Sequence, residues 1–208
     1  MSDPALAHLR AADRVLRNLI DSVGELEPGR SPDRPAPGAH YAALVRAIVG
    51  QQLSTHAARA IWARLLEQFE GRPPEPGEIL TADPEALRVA VGLSRAKVSF
   101  LRSLAEHVES GELELDRMED LPDEEVISEL IAVHGIGVWS AQMFLMFQLE
   151  RPDVLPVGDL GIRRAIERAY SLEALPGAAE IEPIAEPWRP HRTLACRYLW
   201  RSLANEPT

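Results

Sequence analysis

Two glycines one residue apart, in His134-Gly135-Ile136-Gly137, lie between an amphipathic stretch and a strongly apolar one. Backbone amides freed at such a turn can approach a phosphate closely, and the dipole of the following helix favours an anion there. The same residues suit a tight αα-hairpin with a glycine cap, with Ile136 as the plug between its helices. A second break, Gly50-Gln51-Gln52-Leu53-Ser54, separates two further amphipathic stretches. The tip of such a turn can enter a minor groove, where apolar or amide side chains fill a gap. Equally, Ser54 can cap the next helix beside an incidental Gln-Gln pair. Asp159 directly precedes a helical pattern that starts at Leu160, the place of an N-cap. A carboxylate there can also stabilise a developing cation and orient or deprotonate a water. The indole of Trp139 can stack on a cationic ring, and at helical spacing it also reads as core. Of 22 basic residues only Lys97 is lysine, and the only cysteine is Cys196. A single thiol excludes a disulfide framework, a four-cysteine iron–sulfur cluster and a cysteine zinc site.

The elements that must hold these residues are helical. Tyr41, Leu44, Val45, Ile48 and Val49 recur at i, i+3, i+4, i+7 and i+8, and so do the apolar residues from Ala58 to Phe69, from Val98 to Val108 and from Ile162 to Ala169. Two-residue alternation is absent, which predicts an all-α chain. Helices are expected near 4–22, 40–52, 54–70, 83–91, 94–110, 122–133, 138–149, 160–170, 178–186 and 190–204. Prolines 28, 32, 35 and 37, with Gly29 and Gly38, predict an irregular connector, and residues 72–77, with three prolines, predict another. Lys97 reads as part of a surface turn before a helix. With 208 residues, 46 % of them apolar, the chain can bury its core without staples. The start, Met1-Ser2-Asp3-Pro4, has no basic or apolar leader, and no apolar run approaches a membrane helix. A reducing, cytoplasmic setting is therefore expected, with no membrane partner.

The longer string Leu130-Ile131-Ala132-Val133-His134-Gly135-Ile136-Gly137-Val138-Trp139-Ser140-Ala141, followed by Leu155-Pro156-Val157-Gly158-Asp159-Leu160-Gly161, resembles the helix-hairpin-helix DNA glycosylase superfamily. Within it, the chain looks like the 3-methyladenine DNA glycosylase II group of alkylation-repair enzymes. Ala47 to Ser54 and Trp188-Arg189-Pro190 extend the likeness, which runs from about Tyr41 to Trp200. The resemblance implies a two-lobed helical fold with the active site in the cleft between lobes of about 37–133 and of 1–36 plus 134–208. It implies a monomer that acts on double-stranded DNA with alkylated bases, associated with the nucleoid. Asp159 matches the catalytic acid, and Asp153 is its nearest rival. Trp139 and Met143 match a base-pocket wall, with Tyr41, Trp188 and His191 as weaker members. Gln52 matches the intercalating wedge, with Leu53 beside it. Gly135, Gly137 and Ser140 match the DNA-phosphate site. The carbonyls of Ile131, Val133 and Ile136 match positions that bind a monovalent cation, Na+ or K+; no other cofactor is expected. His134 stands where relatives more often carry proline. Trp139 stands where strand-cleaving relatives carry a Schiff-base lysine, which implies hydrolysis without lyase chemistry.

Charge argues the other way. The formal charge is −10, whereas DNA binders are usually basic. Residues 112–129 hold nine acids against Arg117, so most of the excess lies in one stretch, while Arg163, Arg164 and Arg168 follow Asp159. Amide-based phosphate binding also needs few cations. Two other classes stay open on the residues alone. A non-catalytic helix-hairpin-helix DNA-binding module would use Gly135 and Gly137 and leave Asp159 idle. A helical interaction domain would use the acidic surface.

Overall fold

Short polar residues set where the helices begin. Ser54, Asp83, Ser94 and Asp159 each accept a hydrogen bond from a backbone amide three residues on, which satisfies a donor the helix itself leaves unpaired. The computed structural model describes residues 3–26, 36 and 38–204. Among them the chain forms twelve α-helices and no strand. These are α1 Pro4–Ala12, α2 Arg14–Val23, α3 His40–Gly50, α4 Thr55–Gln68, α5 Pro76–Thr81 and α6 Pro84–Val91, then α7 Arg95–Glu109, α8 Asp123–Ala132, α9 Val138–Phe147, α10 Leu160–Ala169, α11 Ala178–Ala185 and α12 Arg192–Ala204. None is long and apolar enough to cross a membrane. The proline-rich connector expected at 28–38 lies almost wholly outside the described residues.

Two expectations change. The helix expected at 4–22 is two helices, because Asp13 leaves the helical conformation and its carboxylate caps α2 at Val15 N and Leu16 N. The second proline-rich stretch hides the start of α5. Pro76 occupies the first turn, where its missing N–H costs nothing, and the Glu78 carboxylate reaches back to the Glu75 amide at 2.8 Å.

The described residues fall in two compact units, one within 1–30 and 150–208, the other within 31–149. In the second, α3 packs on α4, α7 and α9, and α8 packs on α9 across the hairpin. Its core holds Leu44, Ile48, Leu65, Leu101, Leu104, Leu130 and Leu145. These contacts keep α9 with α8 and α3 in the unit within 31–149. In the other unit α12 packs on α2 and α10 around Leu16, Ile20, Ile166, Trp188, Tyr198 and Leu199. Asp13 is its polar centre. Besides capping α2, it accepts hydrogen bonds from the Tyr170 hydroxyl and, at 3.1 Å, from Trp188 Nε1. Burial pushes its pKa up, but these hydrogen bonds outweigh burial and hold it below the usual carboxylate range.

Candidate active site

The hairpin between α8 and α9 separates the roles of its two glycines. Gly135 has φ +94°, a conformation that L side chains rarely adopt, and a Cβ there would lie 2.1 Å from Phe100 Cγ. Its carbonyl accepts a 2.8 Å hydrogen bond from Gln51 Nε2, which ties the hairpin to the turn after α3. His134 N donates to Ser103 Oγ at 3.2 Å, and the His134 ring meets Phe100 edge-on. Ile136 is buried, as a plug should be. Gly137 has an ordinary φ of −101°, and nothing lies within 4 Å of a Cβ placed on it. It is the N-cap of α9, and the start of that helix thus has no side-chain cap of its own. Gly135 is packed inward against Phe100, and Gly137 faces open space.

Beside the hairpin, a cavity of about 460 Å³ brings together Trp139, Ser140 and Met143 of α9 with Gln52 and Leu53 of the turn. Trp139 is 48 % exposed, so it is a wall and not core. Gln52 is held at φ +57°, and Leu53 projects from the same turn at 37 % exposure. Lys97 is not in a surface turn. It sits in the first turn of α7, and its Nζ donates to the Val49 carbonyl at 2.7 Å, closing the end of α3 just before the turn. Partial burial lowers its pKa. Gln51, which sequence reasoning passed over, and Lys97 thus hold the turn in place. Arg46, also passed over, lines the cavity.

Asp159 caps α10. Its Oδ1 accepts from Ile162 N at 2.8 Å and from Trp200 Nε1 at 2.8 Å. Gly161 leaves room for that arrangement, since a Cβ on it would lie 3.0 Å from both Asp159 Oδ1 and Trp200 Cδ1. No local signal marks Trp200, which is 41 residues away along the chain on α12. With Oδ1 held by two donors, the carboxylate is fixed in one orientation. Trp200→Phe keeps the ring and removes the donor. If Asp159 is the acid that the resemblance implies, base release by this variant slows roughly tenfold, the scale of one lost hydrogen bond to a charged group. DNA affinity should not change. An unchanged single-turnover rate would show that the indole N–H does not position the acid.

The rival Asp153 is fully engaged. Arg192 grips it at 2.7 and 2.9 Å and Arg189 at 2.6 Å. Burial pushes its pKa up, but the Arg192 hydrogen bonds and charge outweigh this and hold it low. The three weaker pocket candidates each have other neighbours. Trp188 is completely buried, with its N–H on Asp13, and has no face to offer a base. Tyr41 lies against Pro73, Pro76 and Val108 in a different cavity. Its hydroxyl is buried there, and burial with the nearby Glu109 charge raises its pKa. His191 packs edge-on to His8, with ring centroids 5.3 Å apart.

Residues 45–190 match the HhH-GPD superfamily of base excision DNA repair proteins. The chain belongs to this superfamily. Among curated HhH-GPD relatives, it is 36 % identical to DNA-3-methyladenine glycosylase 1 of Schizosaccharomyces pombe over 94 % of this chain and 85 % of that protein. A solved structure of a 3-methyladenine DNA glycosylase from the same yeast, in complex with abasic DNA, superposes with a TM-score of 0.86 at 34 % identity. That match covers 99 % of this chain and 100 % of the other. A DNA-3-methyladenine glycosidase structure from Bacillus halodurans superposes with a TM-score of 0.84 at 36 % identity, covering 98 % and 91 %. The all-helical HhH-GPD fold is thereby established for this chain.

Proposed function

We propose that the chain is a monofunctional DNA glycosylase of base excision repair. It flips alkylated purines such as 3-methyladenine and 7-methylguanine out of duplex DNA and hydrolyses their N-glycosidic bond. The observation that carries this reading is Asp159, a carboxylate oriented by two donors at the head of α10. The names of the similar proteins support it.

A purine methylated at N3 or N7 is already cationic. The C1′–N bond can break with its electron pair going to the base, which leaves neutral without strong acid help. The sugar then resembles an oxocarbenium ion. The Asp159 carboxylate stabilises that charge and orients the water that adds at C1′, taking its proton. The indole of Trp139 stacks on the cationic base, and Met143 adds a polarisable contact. Gln52 and Leu53 fill the space the nucleotide leaves. The start of α9 after Gly137, with Ser140, holds a backbone phosphate.

We infer that the carbonyls of Ile131, Val133 and Ile136 would hold a monovalent cation. They lie at and beyond the last turn of α8, where carbonyls have no intrahelical donor, and Ile131 is 44 % exposed. The Val133 carbonyl accepts only Ile136 N among the backbone bonds of the turn, at 3.1 Å, which leaves it a second lone pair. An ion bound there would offset part of the phosphate charge.

The test is release of free base from methylated DNA, with the strand product followed in parallel. The expected product is an intact abasic strand that breaks only after hot alkali, with no protein trapped by borohydride. Position 139 is Trp, and Lys97 is already engaged on Val49. DNA binding without base release would select a non-catalytic module. A borohydride-stable adduct that forms as fast as base is released would overturn the monofunctional assignment.

A further inference from the structure

A second groove lies on the same unit as the hairpin, on the outer face of α7. It has a volume of about 510 Å³ and is lined by Arg95, Ser99, Arg102 and Ser103 of α7, Arg88 of α6, and His134 at the hairpin tip. On α7 these residues fall at i, i+4, i+7 and i+8, so they share one face of the helix. The groove is continuous with the hairpin, because Ser103 Oγ accepts from the His134 amide.

Its three guanidinium groups are not equivalent. Arg88 is neutralised by Glu85, which it grips at 2.9 and 2.6 Å. Arg102 donates to the Ile79 and Leu80 carbonyls at 3.3 and 3.2 Å, which fixes its position without cancelling its charge. Arg95 is exposed at the first position of α7 and adds to the positive end of the helix dipole; among the described residues it makes no ion pair, and Glu85, already held by Arg88, feels its charge only at longer range. Glu106 is the remaining acid on the wall. In a chain of charge −10, a groove that presents three guanidinium groups against Glu85 and Glu106, two of the three outside any ion pair among the described residues, with two serine hydroxyls beside the hairpin, suits a string of anions.

We propose that this groove binds the phosphodiester backbone of DNA beyond the nucleotide held by the hairpin, with Arg95 and Arg102 as the phosphate contacts and Ser99 as a supporting donor. The inference rests on the glycosylase reading above and extends it. Backbone contacts of this kind position a duplex without reading sequence. They also give an acidic protein a local source of DNA affinity.

The test measures affinity for a duplex carrying a stable abasic-site analogue, as a function of salt, for the wild-type chain, Arg95→Gln and Arg10→Gln. Arg10 is an exposed residue of the other unit, paired with Asp21 at 2.8 Å, and controls for simple loss of charge. Arg95→Gln is expected to weaken binding about three- to tenfold and to reduce the salt slope by about one, the signature of one lost phosphate contact. Arg10→Gln should leave the slope as in the wild type. The single-turnover rate of base release at saturating DNA should be unchanged in Arg95→Gln. A wild-type slope in Arg95→Gln, or an equal change in both variants, would overturn the groove while wild-type base release stands. Wild-type protein that releases no base would instead overturn the glycosylase reading itself.

Discussion

Asp159→Asn is expected to lower the single-turnover rate of base release by about a thousandfold or more, the scale of losing a carboxylate that stabilises a cation and takes a proton from water. The fold should hardly notice. Asparagine caps a helix about as well as aspartate, and its Oδ1 can accept the same two hydrogen bonds, from Ile162 N and Trp200 Nε1. What the fold loses is one charge at the positive end of α10, worth roughly 0.3–1 kcal/mol. The variant therefore separates the two roles that Asp159 combines. Asp159→Ala does not, since it also removes the cap and leaves the indole N–H without its acceptor. The measurement pairs base release with thermal melting and abasic-DNA affinity. Near-wild-type turnover in a folded Asp159→Asn protein would reduce Asp159 to a cap and remove the central support for the proposed chemistry.

The parts of the molecule that were legible beforehand are those written in local pattern. The stripes of Leu44, Val45 and Ile48, and of Leu101, Leu104 and Ala105, announce buried helix faces, and those residues are core. The Gly-Ile-Gly string announces a hairpin for the same reason, because glycine and a single apolar plug have few other uses there. What stayed hidden depends on partners distant in sequence. Trp200 is an aromatic on a helical stripe until α12 brings it to Asp159. Gln51 looked like the idle half of a Gln-Gln pair, yet it bonds to Gly135, 84 residues away. Trp188 lay within a recognisable motif, but Asp13 draws its N–H into the core. Asp13 itself was hidden in an amphipathic run long enough for one helix, because a carboxylate that caps and a carboxylate that faces solvent look alike in a sequence. Lys97 reads as part of a turn before a helix, yet its long stem lets the amine reach a helix-end carbonyl from a half-buried position.

Gly135→Ala and Gly137→Ala should have opposite consequences, although the two positions look alike in the sequence. At Gly135 the added methyl meets the face of the Phe100 ring, with Cγ at 2.1 Å and Cδ1 at 2.4 Å, and the backbone stays at φ +94°. Left-handed strain of about 1–2 kcal/mol and overpacking of about 1–3 kcal/mol add to a loss of roughly 3 kcal/mol. For a chain of this size that lowers the melting temperature by roughly 6–12 °C. Adding Phe100→Ala to Gly135→Ala removes the clash but not the strain, so the two changes together should cost less than their sum. At Gly137 the methyl meets nothing and φ is ordinary. Only the poorer capping of alanine is felt, at most about 1 kcal/mol. The methyl does, however, stand over the amides that open α9, and abasic-DNA affinity should fall about tenfold, the scale of one charge-assisted hydrogen bond. Thermal melts and affinity measurements on both variants decide the matter. If Gly135→Ala melts like the wild type, Phe100 yields readily and the hairpin is not held by that contact. If Gly137→Ala binds abasic DNA as tightly as the wild type, the phosphate does not sit at the start of α9.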